Sequence, residues 1–395
     1  MVNRGRINRF GPVKGDGFTL VSISLCKFLY AFYTLAIGPL LVQIGEEFDI
    51  GLRIQSIVFP FNYFGQIVIV FFVGLIADKL GKKAIHLLSV VLLALGACAF
   101  TYIHSYVLFL FLFLFMGLFG ISINIIADAS ISDAFPERRG LYLNMAHVFF
   151  GLGAICSPIV YNLVLSRTGD FRTIYFVLFI LSLAVLVLVT LTRYPAVRDE
   201  TIKVNVIAEL LKNREFVLLA LYAAVSWGTL YAISGWIPTL FTKDLYLPGR
   251  LSNYSLAFMW TAVIIGRITT ALLSKKYSEI AMIKWINLAV FFLIALSFFL
   301  DDPVSLLVDY LLLGLLMGTF APLTISYSAE IYGRHSTTRL AVLFATGSVG
   351  MLVIPMLIGL FGENMAMYRV IALTSVFFLV YIFVFRRRFS DGTKQ

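Results

Sequence analysis

The chain has 395 residues, of which 60% are hydrophobic and only 13% charged, and its mean hydropathy is +0.94. That composition excludes a soluble globular domain and describes an integral membrane protein. The formal net charge of +10 is read as a topology signal and as contact with anionic lipid headgroups, with no nucleic-acid partner implied.

Residues 1–17 carry Arg4, Arg6, Arg9 and Lys14, and no small-residue cleavage site follows the next apolar run, so they read as a cytoplasmic tail rather than a signal peptide. Twelve apolar runs then follow, each near the roughly 20 residues that a membrane helix needs. Strands and open loops would leave backbone polar groups unsatisfied in lipid, so the runs are predicted as helices. The first six are placed at 18–44, 54–77, 84–103, 105–127, 140–165 and 172–192. After a polar linker at 194–215 come 216–241, 252–273, 280–300, 304–327, 338–361 and 367–385, with a short tail at 386–395. A surface helix is expected in the linker over Val204 to Leu211. Of the Lys and Arg residues, 23 fall on the side of the N-terminus, 6 on the opposite side and 2 inside spans, which predicts a multi-pass protein of the cell membrane with both termini cytoplasmic. Cys26, Cys98 and Cys156 all sit within spans and offer neither a disulfide framework nor a metal-ligand spacing.

One offset recurs along the chain. Arg53 and Arg250, Gly117 and Gly314, Asp133 and Glu330, Gly153 and Gly350, Pro158 and Pro355, and Arg172 and Arg369 are each 197 residues apart. Six spans separate the copies, so both keep one orientation and are related by an axis along the membrane normal. The expected fold is an all-α membrane protein of twelve helices in two six-helix bundles, 18–193 and 216–385, with a substrate path between them.

Between spans 2 and 3 lies Gly74-Leu-Ile-Ala-Asp78-Lys-Leu-Gly81-Lys82-Lys83, a glycine-punctuated charged turn whose counterpart in the second half, Ala271 to Ser278, has lost the glycines and the acid. With Pro136-Glu-Arg-Arg-Gly140, Phe171-Arg172 and Trp236-Ile-Pro238, this pattern resembles the major facilitator superfamily over nearly the whole chain. The resemblance implies a secondary transporter working by alternating access, a monomer in contact with membrane lipids, with no cofactor and no enzymatic activity. It also implies that Gly74, Asp78, Gly81, Lys82 and Lys83 form a conformational latch, in which Asp78 meets the N-terminal end of a helix of the other half. Asp133, Arg138, Glu330 and Arg334 are expected to belong to ion-pair networks that hold the cytoplasmic side shut. In one respect the chain departs from the drug-proton antiporters, since their Gly-x-x-x-Gly-Pro-x-x-Gly run reads Gly153-Ala-Ile-Cys-Ser157-Pro158-Ile-Val-Tyr161 here.

A charge inside a span costs about 2.5 to 3.5 kcal/mol, so Lys27 and Arg267 need a reason to be there. Lys27, roughly 13 Å into span 1 at about 1.5 Å per residue, shares a helix face with Ser24, Tyr30 and Thr34 and is expected to line a polar cavity, with snorkelling or a contact to another helix as the alternatives. The Gly-Arg context of Arg267 is similar to helix 8 of the oxalate/formate antiporters and monocarboxylate transporters, where the resemblance implies that a guanidinium receives a carboxylate, pairing with loop groups being the alternative. Lys27 and Arg267 together suggest a small organic anion as substrate, moved by symport with a proton or by exchange with a counter-substrate. Asn62 and Gln66 on span 2, Asn124 on span 4, Asn144 and His147 on span 5, and Trp227 and Tyr231 on span 7 complete the candidate substrate contacts, each with a helix-packing reading beside it. Asp128, Asp309 and His147, taken as the only well-buried histidine, are the candidates for proton coupling. Efflux of hydrophobic or cationic compounds is the alternative within the class, and a non-transporting receptor or scaffold the alternative outside it. The four histidines, at 86, 104, 147 and 335, have no ligand spacing, which argues against a metal or an enzyme.

Overall fold

The computed structural model describes residues 16–135, 138–194, 204–274, 276–331 and 336–384. Residues 1–15 of the first tail, the whole second tail, Pro136, Glu137, Arg334 and the side chains of Asp78 and Arg139 therefore lie outside the described residues. All described secondary structure is helical.

In chain order the helices are α1 (Gly17–Leu35), α2 (Ile37–Glu47), α3 (Leu52–Gln55), α4 (Val58–Leu80), α5 (Lys82–Phe100), α6 (Tyr106–Ala134), α7 (Arg139–Thr168) and α8 (Thr173–Leu191). The second half has α9 (Val204–Lys212), α10 (Arg214–Lys243), α11 (Gly249–Leu273), α12 (Glu279–Leu296), α13 (Pro303–Met317), α14 (Phe320–Ile331), α15 (Ser336–Phe361), α16 (Met367–Leu373) and α17 (Ser375–Val384). Eleven stretches are long and apolar enough to cross a membrane, and Met367–Leu379 is a shorter apolar one.

Several predicted single spans are broken helices, and proline explains three of the breaks. Pro39, Pro60 and Pro322 each lack the N–H that would bond to the carbonyl four residues earlier, at Leu35, Ser56 and Gly318, and the α1/α2, α3/α4 and α13/α14 breaks fall at those residues. Pro158, Pro238 and Pro355 sit inside continuous helices instead. Span 4 is the largest correction. The apolar run ends at residue 127, but α6 runs on to Ala134 because its two acids, Asp128 and Asp133, both find lysine partners.

The 197-residue repeat is present in the packing. A Cβ at Gly117 would collide with the Asn62 carbonyl, and one at Gly314 would meet the Met259 carbonyl at 2.7 Å, so the same two helices of each half approach at the same residue. Gly153 against Phe28 and Gly350 against Ala224 repeat a second close approach. At the end of the molecule away from the N-terminus, hereafter the far side, the Arg172 guanidinium lies 4.7 Å from the Phe171 ring and that of Arg369 lies 5.5 Å from the Tyr368 ring. Arg172 also donates to the Ile103 carbonyl at 2.7 Å and to Glu47 at 2.5 Å, tying the far ends of three helices together. The opposite end, where α1 begins, is called the tail side.

The two halves meet from mid-membrane to the far side. Gly38 and Gly235, again 197 apart, mark the crossing of α2 and α10, where a Cβ on Gly38 would sit 2.7 Å from the Ser234 carbonyl. Phe59 packs on Trp236 with ring centroids 5.6 Å apart, Tyr63 on Tyr231 at 6.4 Å, and Phe150 on Trp260 at 5.7 Å.

Candidate transport site

Lys27 is fully buried in α1, and its charge is answered. Its Nζ donates to Asp128 Oδ1 at 2.7 Å and to Asn124 Oδ1 at 2.9 Å, both on α6 and one turn apart. A buried ammonium is tolerated when an opposite charge and further hydrogen bonds meet it, and α6 supplies both. Asp128 keeps 26% of its side chain exposed, and His147 Nε2 on α7 lies 3.8 Å from the same carboxylate oxygen with 39% of its side chain exposed. The pair is therefore sealed on the lysine side and open on the acid side. These positions correct two expectations. Lys27 makes a contact to α6 rather than snorkelling or standing alone in a cavity wall, and the well-buried histidine is His86, whose Nδ1 lies 2.6 Å from Tyr194 Oη.

Above this pair runs a chain of neutral polar groups. Tyr30 donates to Gln66 Oε1 at 3.3 Å, Gln66 donates to Asn62 Oδ1 at 2.9 Å, and Asn62 donates to Tyr33 Oη and to the Phe113 carbonyl at 3.2 Å. The i, i+4 spacing of Asn62 and Gln66 sets both amides on one face of α4, facing the tyrosines of α1. Thr34 Oγ1 is buried without a hydrogen-bond partner.

The second half contributes aromatic walls and one cation. The Arg267 guanidinium sits 5.5 Å from the Phe150 ring and 5.9 Å from the Trp260 ring, and its Nε is buried without a hydrogen-bond partner. Phe150 lies three residues along α7 from His147, so Arg267 faces the same stretch of α7 as the Lys27–Asp128 pair. Tyr231 packs edge-on to Trp260 at 5.9 Å, and Trp260 Nε1 donates to Ser234 Oγ at 3.2 Å. Thr34, Gly38, Tyr63, Tyr231, Ser234 and Gly235 line a small void of about 10 Å³, room for about one water. Thr34 with Tyr231 and Gly38 with Gly235 are pairs at the 197-residue offset, so this void lies on the axis relating the halves. Trp227 stands apart, buried between α10 and α15 against Phe344 at 5.4 Å, and Asn144 is exposed.

Asp128, Tyr33, Tyr63, Ser234 and Trp260 join the site although the sequence did not single them out as substrate contacts. Asp128 carried a readable signal, since it lies one helical turn from Asn124.

At the loop between α4 and α5, Gly81 adopts φ +89°, a conformation that glycine takes without strain. Lys82 pairs with Asp133 at the end of α6. Lys83 donates to the carbonyls of Thr190 at 2.6 Å and Thr192 at 2.9 Å, capping the C-terminal end of α8. Asp133 is thus paired within the first half, and Arg138, expected in the same ion-pair networks, is exposed. Glu330 is exposed as well.

Comparison with known proteins decides the family. The profile of the Major Facilitator Superfamily matches residues 23–308. The chain belongs to that superfamily. It is 20% identical over 375 residues to a TsgA homolog of Buchnera aphidicola subsp. Baizongia pistaciae, covering 93% of this chain and 95% of that protein. To a putative glucose/galactose transporter of Helicobacter pylori (strain ATCC 700392 / 26695) it is 25% identical over 361 residues, covering 85% and 87%. In fold it is similar to the crystal structure of a D-xylose-proton symporter, with a TM-score of 0.77, 12% identity and coverage of 92% and 96%. This superfamily member is a multi-pass secondary transporter for a small molecule, not an enzyme.

Proposed function

We propose that the solute is small, polar and sugar-like, and that a proton moves with it. The observation that carries this reading is the neutralisation of Lys27 by Asp128, which leaves the first half with amides and hydroxyls rather than a free cation. Tyr30, Asn62, Gln66 and Asn124 offer both donors and acceptors, as hydroxyl groups require. Tyr231, Trp260 and Phe150 offer flat apolar faces for the C–H side of a sugar ring. Likeness to a putative glucose/galactose transporter and to a D-xylose-proton symporter supports the same class. The partly exposed Asp128 carboxylate, held between Lys27 and His147, is the group we assign to the proton.

The halves 18–193 and 216–385 would rock about the path with both termini in the cytoplasm, and contact on the far side then makes this the inward-facing state. In this state the Gly74 to Lys83 loop acts as a staple within its own half through Lys82 and Lys83, and the Asp78 latch to the other half forms when the tail side closes. Flux into proteoliposomes tests the class, with uptake of a neutral hexose or pentose driven by an inward proton gradient as the expected result. No flux of any neutral sugar would reject it.

One observation favours the small organic anion. The Arg267 Nε is buried and has no partner, and a carboxylate would supply one. On that reading Arg267→Gln abolishes flux of an organic anion, whereas unchanged flux of every organic anion tried removes it.

A further inference from the structure

The 197-residue offset carries each far-side contact between the halves onto the other. Asn162 on α7 maps to Gly359 on α15, and Ser56, between α3 and α4, maps to Asn253 on α11. The seam between α7 and α11 and the seam between α4 and α15 are therefore the same contact made twice, with different residues.

At the first seam the Asn253 amide donates to Asn162 Oδ1 at 2.7 Å, and the Asn162 amide donates to the Arg250 carbonyl at 3.0 Å. Both asparagines are buried, and beside them lies a crevice of about 100 Å³ lined in part by Gln43, Ser166 and Arg250. At the second seam, residue 359 has no room for a Cβ against Ser56, and one would sit 2.7 Å from Trp236 and 2.9 Å from the Leu52 carbonyl. Trp236 is fully buried, packs on Phe59 and donates to the Pro355 carbonyl at 2.8 Å.

The two seams differ in what opening costs. Parting the amide seam exchanges protein hydrogen bonds for water, and the adjoining crevice lets that water in, so the net loss is small. Parting the aromatic seam exposes apolar surface in proportion to its area. We propose that Asn162 and Asn253 are the gating pair of transport: the far side opens along the α7–α11 seam, while the α4–α15 seam around Gly359, Ser56, Phe59 and Trp236 stays packed as the pivot. This rests on the alternating-access reading and is independent of which solute is carried.

The test places spin labels at symmetry-related exposed positions in lipid nanodiscs: Arg167 with Leu251 across the α7–α11 seam, and Ile54 with Asn364 across the α4–α15 seam. The Arg167/Leu251 pair is expected to show a second, longer distance population without any added solute, and the Ile54/Asn364 pair a single one. Asn162→Ala with Asn253→Ala removes both hydrogen bonds across the seam and should raise the ratio of the longer to the shorter population about thirtyfold, the factor that two ordinary hydrogen bonds of about 1 kcal/mol each supply, and leave the Ile54/Asn364 distances unchanged. Equal lengthening across both seams, a single distance across both, or no response to the double alanine overturns the proposal. If the α7–α11 labels part as expected and no sugar moves in the flux assay, the gate stands and the substrate class fails.

Discussion

The two halves share a scaffold and divide the chemistry between them. Where the first has Lys27, Tyr33, Asn62, Gln66, Asn124 and Asp128, the second, 197 residues on, has Ala224, Leu230, Met259, Val263, Ala321 and Ile325. The polar network of the first half thus has an apolar image in the second, whose own contributions are Arg267 where the first has Val70 and the buried Asp309 where the first has Leu112. The backbone approaches at Gly117 and Gly314 are retained in both. Packing that builds the bundle is symmetric, and groups that could bind or carry a charge are not. The asymmetry places the Lys27–Asp128 pair in one half and the aromatic walls mostly in the other, so that both meet only across the path.

Four measurements would sharpen or break this contrast. The largest effect is expected from Asp128→Leu, which leaves the buried Lys27 ammonium without its counter-charge and should lower stability by about 3 to 5 kcal/mol, toward the lower end because Asp128 is partly exposed. Adding Lys27→Leu makes this site resemble the second half and should restore most of the loss in thermal unfolding of the purified protein. A single variant as stable as wild type would mean that the pair is not sealed from solvent. Next, Gly117→Ala and Gly314→Ala should each cost about 1 to 3 kcal/mol, the former more, since its carbonyl neighbour is closer. If only one of them destabilises, the packing repeat is not energetic. The smallest of the stability effects is Lys82→Ala. Its ion pair with Asp133 is only partly buried and should be worth about 1 kcal/mol or less. In the second half Glu279 stands in place of Lys82 and accepts from Ser326 at 2.8 Å.

Much of the fold was legible because the apolar runs and the 197-residue offset are linear features of the chain. The helix breaks were less so, since Pro39, Pro60 and Pro322 lie within uninterrupted hydrophobic stretches and hydropathy does not register a missing N–H. Span 4 was cut short for the opposite reason. Asp128 and Asp133 look like loop residues until their lysines are seen, and Lys27 is 101 residues away from Asp128 in sequence. Of the site, the helix-face pairs Asn62/Gln66 and Asn124/Asp128 could be read from their spacing. What they touch could not, because Tyr30, Tyr33 and Lys27 reach them across a helix packing that no local pattern encodes. The same limit applies to Arg267, whose aromatic neighbours Phe150 and Trp260 come from different halves.

The fourth and most direct measurement concerns Asp128 and the division of labour between the halves. Asp128→Asn keeps a side chain that can accept from Lys27 and removes the titrating group. In proteoliposomes the wild-type protein should accumulate a neutral sugar against its gradient when an inward proton gradient is imposed, and Asp128→Asn should exchange the same sugar across the membrane without accumulating it. Accumulation by Asp128→Asn equal to that of the wild type would contradict the assignment of the coupled proton to the first half.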